Sequence, residues 1–160
     1  MGWDLGLDRV NRVATVLNVK HPASTVILVA GTNGKGSYCE ALNTLSMEAG
    51  LKTGLTTSPH IHQFSERIRI DGRQVEDEVI VAAFDSIEEA RGETTLTYFE
   101  FASLAAMVIF ESNELDVAIL EIGLGGRLDA MNVVDPDISV VLPIALDHQE
   151  YLGDSREEIG

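Results

Sequence analysis

The spacing of apolar positions changes along this chain, and the changes divide it into elements. Val10, Val13, Ala14 and Leu17 recur every three or four residues, which predicts a short amphipathic opening helix. Residues 26–30 form a compact apolar run that enters a glycine-rich turn, and a helix stippled with apolar residues follows over 35–49, with Gly50 placed to end it. Residues 52–57 read as a second strand. Residues 66–75 alternate around Asp71-Gly72, a strong hairpin signal. Residues 77–91 and 97–112 read as helices with Gly92 between them.

Two further runs, 116–121 and 138–142, are short, β-branched and nearly continuously apolar. Strands of that kind are buried on both faces, as in parallel sheets covered by helices. The order strand, helix, strand, hairpin, two helices, strand, strand predicts an α/β fold: a mostly parallel sheet with helices on both faces, forming one nucleotide-binding domain over residues 1–160. No internal repeat or low-complexity linker interrupts it. The sequence stops just inside what reads as a starting helix at 155–158, so the expectation is a domain truncated at its carboxyl end.

Composition narrows the function classes. A hydrophobic fraction of 45% with 23% charged residues is ordinary for a globular domain, and no stretch approaches the roughly 20 apolar residues of a membrane span. Asp4, Asp8, Arg9 and Arg12 interrupt the first residues, which therefore do not read as a signal peptide, and a cytoplasmic location is expected. A net charge of −15 argues against general binding to nucleic acid, and it requires any phosphate ligand to be held by local devices such as backbone amides, a placed lysine or a metal ion. The acidic clusters at 76–78 and 88–89 read as solvated helix faces. Cys39, the single cysteine, falls inside a predicted helix and reads as a buried, inert thiol.

Gly31-Thr32-Asn33-Gly34-Lys35-Gly36-Ser37 lies between the first strand and the first long helix. Glycines let the backbone approach phosphate oxygens, the helix amino terminus offers unpaired amides, and Lys35 adds a full positive charge. The string departs from the common phosphate-loop pattern, with Val29 where its first glycine would stand and Gly36 between Lys35 and Ser37. A bare strand-to-helix turn is the alternative, but such a turn has no structural need for a lysine at its mouth.

This loop and the strings that follow resemble the Mur ligase superfamily, and within it the folylpolyglutamate synthases, most of all the bacterial bifunctional members that also act as dihydrofolate synthases. The matching strings are Asp4-Leu5-Gly6-Leu7-Asp8-Arg9-Val10, the loop itself, Thr57-Ser58-Pro59-His60, Glu66-Arg67-Ile68-Arg69-Ile70 and Leu96-Thr97-Tyr98-Phe99-Glu100. Leu120-Glu121-Ile122-Gly123-Leu124-Gly125-Gly126-Arg127-Leu128-Asp129-Ala130 and Ala145-Leu146-Asp147-His148 complete the set, in family order across nearly the whole chain. The sequence departs from the family at Met131, at Leu142-Pro143 and at Gln149, and the first two of these bear on the substrate pocket and a strand end.

The resemblance implies an amino-terminal, phosphate-loop-type ATP-binding domain, with a second domain for glutamate and a carbamylated lysine lying beyond this sequence. It implies a ligase that joins L-glutamate to dihydropteroate or to a folate carboxylate, using ATP and Mg²⁺ and passing through an acyl phosphate. Thr32, Asn33, Gly34, Lys35, Gly36 and Ser37 would take the ATP phosphates, and Ser58, Glu121 and His148 the Mg²⁺. Lys35, Glu121 and His148 would act in catalysis. Asp4, Leu5, Thr97, Tyr98, Phe99, Glu100, Leu128, Asp129 and Ala130 would bind the pterin-bearing substrate, and the full-length protein is expected to be a monomer.

Physical chemistry adds its own view of these residues. Glu121 ends an apolar strand, where a carboxylate is costly without a partner; a metal site or a salt bridge would each explain it. Imidazole is an unusual ligand for Mg²⁺, so His148 also suits a hydrogen-bonded core residue. His60 and His62 read as loop residues that position a turn. Arg67 and Arg69 suit either an anionic substrate or a solvated strand edge. Of Tyr98, Phe99 and Phe101, at least one reads as helix packing. Two other readings stay open: a Mur-type ligase that extends a cell-wall peptide precursor, and, for this stretch alone, a nucleotide-binding module without turnover.

Overall fold

In the computed structural model, residues 7–147 and 152–159 are described. The predicted elements form in the predicted order: α1 (Asp8–Leu17), β1 (Thr25–Ala30), α2 (Lys35–Glu48), β2 (Thr53–Thr56), β3 (Ile68–Ile70), β4 (Arg73–Gln74), α3 (Asp77–Arg91), α4 (Tyr98–Glu111), β5 (Val117–Glu121), β6 (Ile138–Val141) and α5 (Arg156–Ile159). Short 3₁₀ turns at Phe64–Arg67 and Ala130–Val133 lead into β3 and out of the long loop after β5. The hairpin turns as expected, with Asp71 at φ 47° and Gly72 at φ 73°, the left-handed pair that a tight two-residue connection requires.

The six strands lie in the order β4-β3-β2-β5-β1-β6. β2, β5, β1 and β6 are parallel, and β3 and β4 add an antiparallel edge. Side chains alternate between two layers. Ile27, Val29, Leu55, Val117 and Ile119 face α2 and pack with Cys39 and Leu42. Leu28, Ala118 and Leu120 face the other way, into the larger core built from α1, α3 and α4. Every residue of β5 is buried, as its apolar run predicts for a central parallel strand. Among the described residues no helix is long and apolar enough to cross a membrane.

Residues 138–142 read as a strand buried on both faces; among the described residues β6 is the last strand of the sheet, paired with β1, and its Ile138 and Val141 are 48% and 66% exposed.

Because the four parallel strands point the same way, the loops after β1, β2, β5 and β6 gather at one edge. That edge is where open α/β sheets bind ligands. Gly54 in β2 lies in close contact with the larger core: a Cβ there would stand 2.5 Å from Leu115 Cδ1 and 2.9 Å from Phe110 Cδ1. Gly54→Ala is therefore expected to lower the unfolding free energy by about 1–3 kcal/mol through overpacking. The readout is a urea midpoint shift at unchanged slope, and an unshifted midpoint would show that Leu115 and Phe110 yield freely.

Candidate functional site

The glycine-rich loop at 31–37 begins where Ala30 leaves the sheet and ends as the first turn of α2. Gly34 stands before the helix at φ 82°, and no side chain caps the helix, so its first amides face the loop without an internal side-chain acceptor. Lys35 is folded back over this turn, donating from Nζ to the Gly31 carbonyl at 2.8 Å and reaching Thr32 O at 3.5 Å. The lysine thus has a local partner that sequence reasoning did not foresee. The contact holds its charge at the mouth of the loop.

Glu121 ends β5 beside this turn and is only 5% exposed. The Ser58 amide donates to its Oε2 at 2.9 Å, while Oε1 has no hydrogen-bond partner among the described residues. Burial raises the pKa of this carboxyl, opposed by the Ser58 hydrogen bond and by the nearby charge of Lys35. A Cβ on Gly36 would stand 3.8 Å from both carboxylate oxygens. Gly36 therefore leaves open space beside a buried carboxylate with one oxygen unengaged. That donor set fits a hard cation that takes few protein ligands and keeps several waters. No group of three or more His, Cys, Asp or Glu side chains arranged to hold a metal occurs among the described residues. Sequence strings far apart are brought together here, since Gly36, Ser58 and Glu121 come from α2, the loop after β2 and the end of β5.

The glycine-rich loop after β5 forms the opposite wall. Asp129 caps the 3₁₀ turn from a 5% exposed position, accepting from the Leu124 amide at 2.8 Å and the Met131 amide at 2.9 Å. Burial pushes its carboxyl up to about 6, against the pull of these amides and of Lys35. Phe99 lies against Gly123, where a Cβ would meet its ring at 2.3 Å. The strings around Phe99 and Asp129 therefore meet at one loop. A narrow cleft lined by Gly31, Thr32, Lys35, Leu124, Gly125 and Asp147 joins this loop to the loop at 31–37.

The remaining expected substrate residues divide by what holds them. Thr97 and Glu100 form the capping box of α4: the Glu100 amide donates to Thr97 Oγ1 at 3.2 Å, and Glu100 Oε2 accepts the Thr97 amide at 2.6 Å. Glu100 also pairs with Arg9 at 3.1 Å, which ties α1 to the start of α4. Leu128 is exposed, whereas Ala130 is buried in the larger core. Tyr98 is 62% exposed and meets Phe64 edge-on, and Arg67 lies 5.7 Å over the Tyr98 ring while donating to His60 Nδ1 at 2.7 Å. Phe101 packs against Phe84. Arg69 pairs with Glu40 of α2.

His60 is thus held by Arg67 of the 3₁₀ turn that follows it, and the Phe64–Arg67–Tyr98 cluster had no signal in the sequence because Tyr98 reaches it from α4, far along the chain. Cys39 is fully buried and its thiol is pushed up to about 12, chiefly by burial, so it is inert. Asp4, Leu5, His148 and Gln149 lie outside the described residues.

Asp129 yields a pH-dependent expectation. Its folded pKa of about 6 lies above the ordinary 3.8, so its contribution to stability is fully present below about pH 4 and is lost as pH rises to about 6. Asp129→Asn keeps the shape but turns one acceptor into a donor facing an amide, and should cost about 1–3 kcal/mol. In urea titrations the gap between wild type and variant should be widest near the acid end of that window and narrow toward its top. A gap independent of pH would show that Asp129 is not a raised carboxyl.

No family model matches the sequence. The chain is 52% identical over 157 residues to the dihydrofolate synthase/folylpolyglutamate synthase of Escherichia coli (strain K12), covering 98% of this chain and 37% of that protein. The structure of E. coli FolC in complex with DHPP and ADP matches with a TM-score of 0.96 at 51% identity, over 98% of this chain and 38% of that one. A bifunctional folylpolyglutamate synthase/dihydrofolate synthase with Mn, AMPPNP and L-glutamate bound matches with a TM-score of 0.93 at 47% identity, over 99% of this chain and 39% of that one. The chain spans a little over a third of the length of the curated relatives it matches. Nearly every residue of this chain is thus similar to a part of the dihydrofolate synthase/folylpolyglutamate synthases, and the same fold lies beneath the similarity.

Proposed function

We propose that the whole protein is an ATP-dependent ligase that joins L-glutamate to dihydropteroate, to folylpolyglutamate or to both, with release of ADP and phosphate. The observation that carries this reading is the meeting of Lys35, Gly36, Ser58 and Glu121 at the carboxyl edge of the parallel sheet. It is supported by relatives whose structures hold ADP with DHPP, or AMPPNP with Mn and L-glutamate. In this reading residues 1–160 form a single nucleotide-binding unit, the glutamate site belongs to the rest of the protein, and the enzyme works in the cytoplasm.

Phosphoryl transfer needs positioning and charge neutralisation more than covalent help. The amides of Asn33, Gly34, Gly36 and Ser37 would cradle the ATP phosphates at the uncapped start of α2, with Thr32 shaping the entry to the same loop. Lys35, now resting on loop carbonyls, would exchange them for phosphate oxygens as a mobile point charge. Glu121, Ser58 and His148 would hold Mg²⁺, which when bound offsets negative charge on the phosphoryl oxygens. The pterin-bearing substrate would lie between the Thr97–Tyr98–Phe99–Glu100 string and Leu128, Asp129 and Ala130, with Asp4 and Leu5 closing it. Glu100 and Asp129 would serve there by holding Arg9 and the Leu124 amide in place. Phe99, braced on Gly123, offers a flat apolar surface.

The test uses full-length protein and labelled glutamate. Lys35→Ala should lower kcat by about two to three orders of magnitude while the fold is kept. Glu121→Gln should depress turnover and raise the Mg²⁺ concentration needed, and His148→Ala should do so less, because a neutral imidazole contributes little to a cation held mainly by oxygens. An unchanged Mg²⁺ requirement in Glu121→Gln would make this carboxylate structural. Wild type that ignores pterin substrates and extends a nucleotide-linked muramyl peptide would overturn the folate assignment.

A further inference from the structure

The ladder between β1 and β6 continues past the ends of both strands. Leu142 donates its amide to Ala30 O at 2.8 Å, and Thr32 donates its own to Pro143 O at 3.3 Å. Gly31 allows this approach, since a Cβ there would stand 2.7 Å from Leu142 Cβ. Beyond that point backbone pairing has to end. The chain at Thr32 is turning into the glycine-rich loop that opens α2. The Thr32 side chain takes over: its Oγ1 accepts the Ala145 amide at 2.9 Å and donates to the Ala145 carbonyl at 3.3 Å. A threonine hydroxyl has a single proton to donate, and here that proton is used within the protein.

We propose that Thr32 is a positioning residue whose hydroxyl clasps Ala145, holding the loop at 142–147 in register with the phosphate loop. The proposal rests on the nucleotide-loop reading given above, and it assigns the Thr32 side chain a task other than phosphate binding. Its amide, bonded to Pro143 O, belongs to the same seam. The consequence is directional. Asp147 lines the same cleft as Gly31, Thr32 and Lys35, two residues beyond the clasp. Releasing Ala145 frees that side of the cleft while leaving the amides of Gly34, Gly36 and Ser37 where α2 places them. Turnover should then fall more than nucleotide affinity.

The experiment is residue-resolved hydrogen exchange on full-length protein without nucleotide, paired with ADP titration and steady-state kinetics. In wild type the Ala145 amide should be protected. Thr32→Val, which keeps the shape and removes the hydroxyl, should lower that protection about tenfold, the loss of one hydrogen bond. It should also lower kcat while changing the KM for ATP by no more than about twofold. Thr32→Ser restores the hydroxyl and should recover both the protection and most of the lost kcat.

Unchanged Ala145 protection in Thr32→Val together with weakened ADP binding would overturn the clasp and make the hydroxyl a phosphate ligand. A wild-type Ala145 amide that exchanges like a solvated one would overturn it too. So would a Thr32→Ser variant that loses protection, which decides the matter if Thr32→Val does not fold. Should wild type fail to ligate glutamate to pterin substrates, the functional reading falls, while the exchange and ADP measurements still decide the clasp.

Discussion

Glu121 closes a strand whose other residues are all apolar and buried, and a carboxylate in that setting must be answered by groups from elsewhere in the chain. The answer comes from the Ser58 amide and from the charge of Lys35, which arrive on different elements. Only a parallel arrangement, with β5 between β1 and β2, brings the ends of those elements to the same edge. The sheet order and the polar cluster are therefore one solution. A β5 elsewhere in the sheet would leave a buried charge unsupported.

The loops around this centre are held by short polar fastenings. Asp129 gathers the Leu124 and Met131 amides, and the Thr32 hydroxyl reaches Ala145. Gly123 lets Phe99 lie directly on the backbone, which joins the start of α4 to the same wall. Glu100 then links that helix start to α1 through Arg9. Each fastening is between a side chain and a backbone group or between a charge and a charge, in places where apolar packing alone would leave the loops loose.

Several of these relationships were legible before any coordinates. The 3.6-residue period of α1 and the apolar run of β5 each produce their element locally. The Asp71-Gly72 turn does the same for the hairpin. Glu121 could be singled out because a charge following an apolar strand is anomalous in itself. Thr32, by contrast, looked like one more residue of a phosphate loop. Nothing near it in sequence indicates that its hydroxyl is committed to a residue more than a hundred positions away.

What the sequence by itself determined is the set of elements, the glycine-rich loop opening α2, and the anomaly at Glu121, because all three depend on residues close together in the chain. Tertiary structure alone decided that β6 lies beside β1, that Lys35 rests on Gly31 and Thr32, that Arg67 stacks over Tyr98, and that Thr32 clasps Ala145. Each of these is set by which strand or loop lies alongside which. That choice minimises the free energy of the whole packed chain and leaves no local pattern to read.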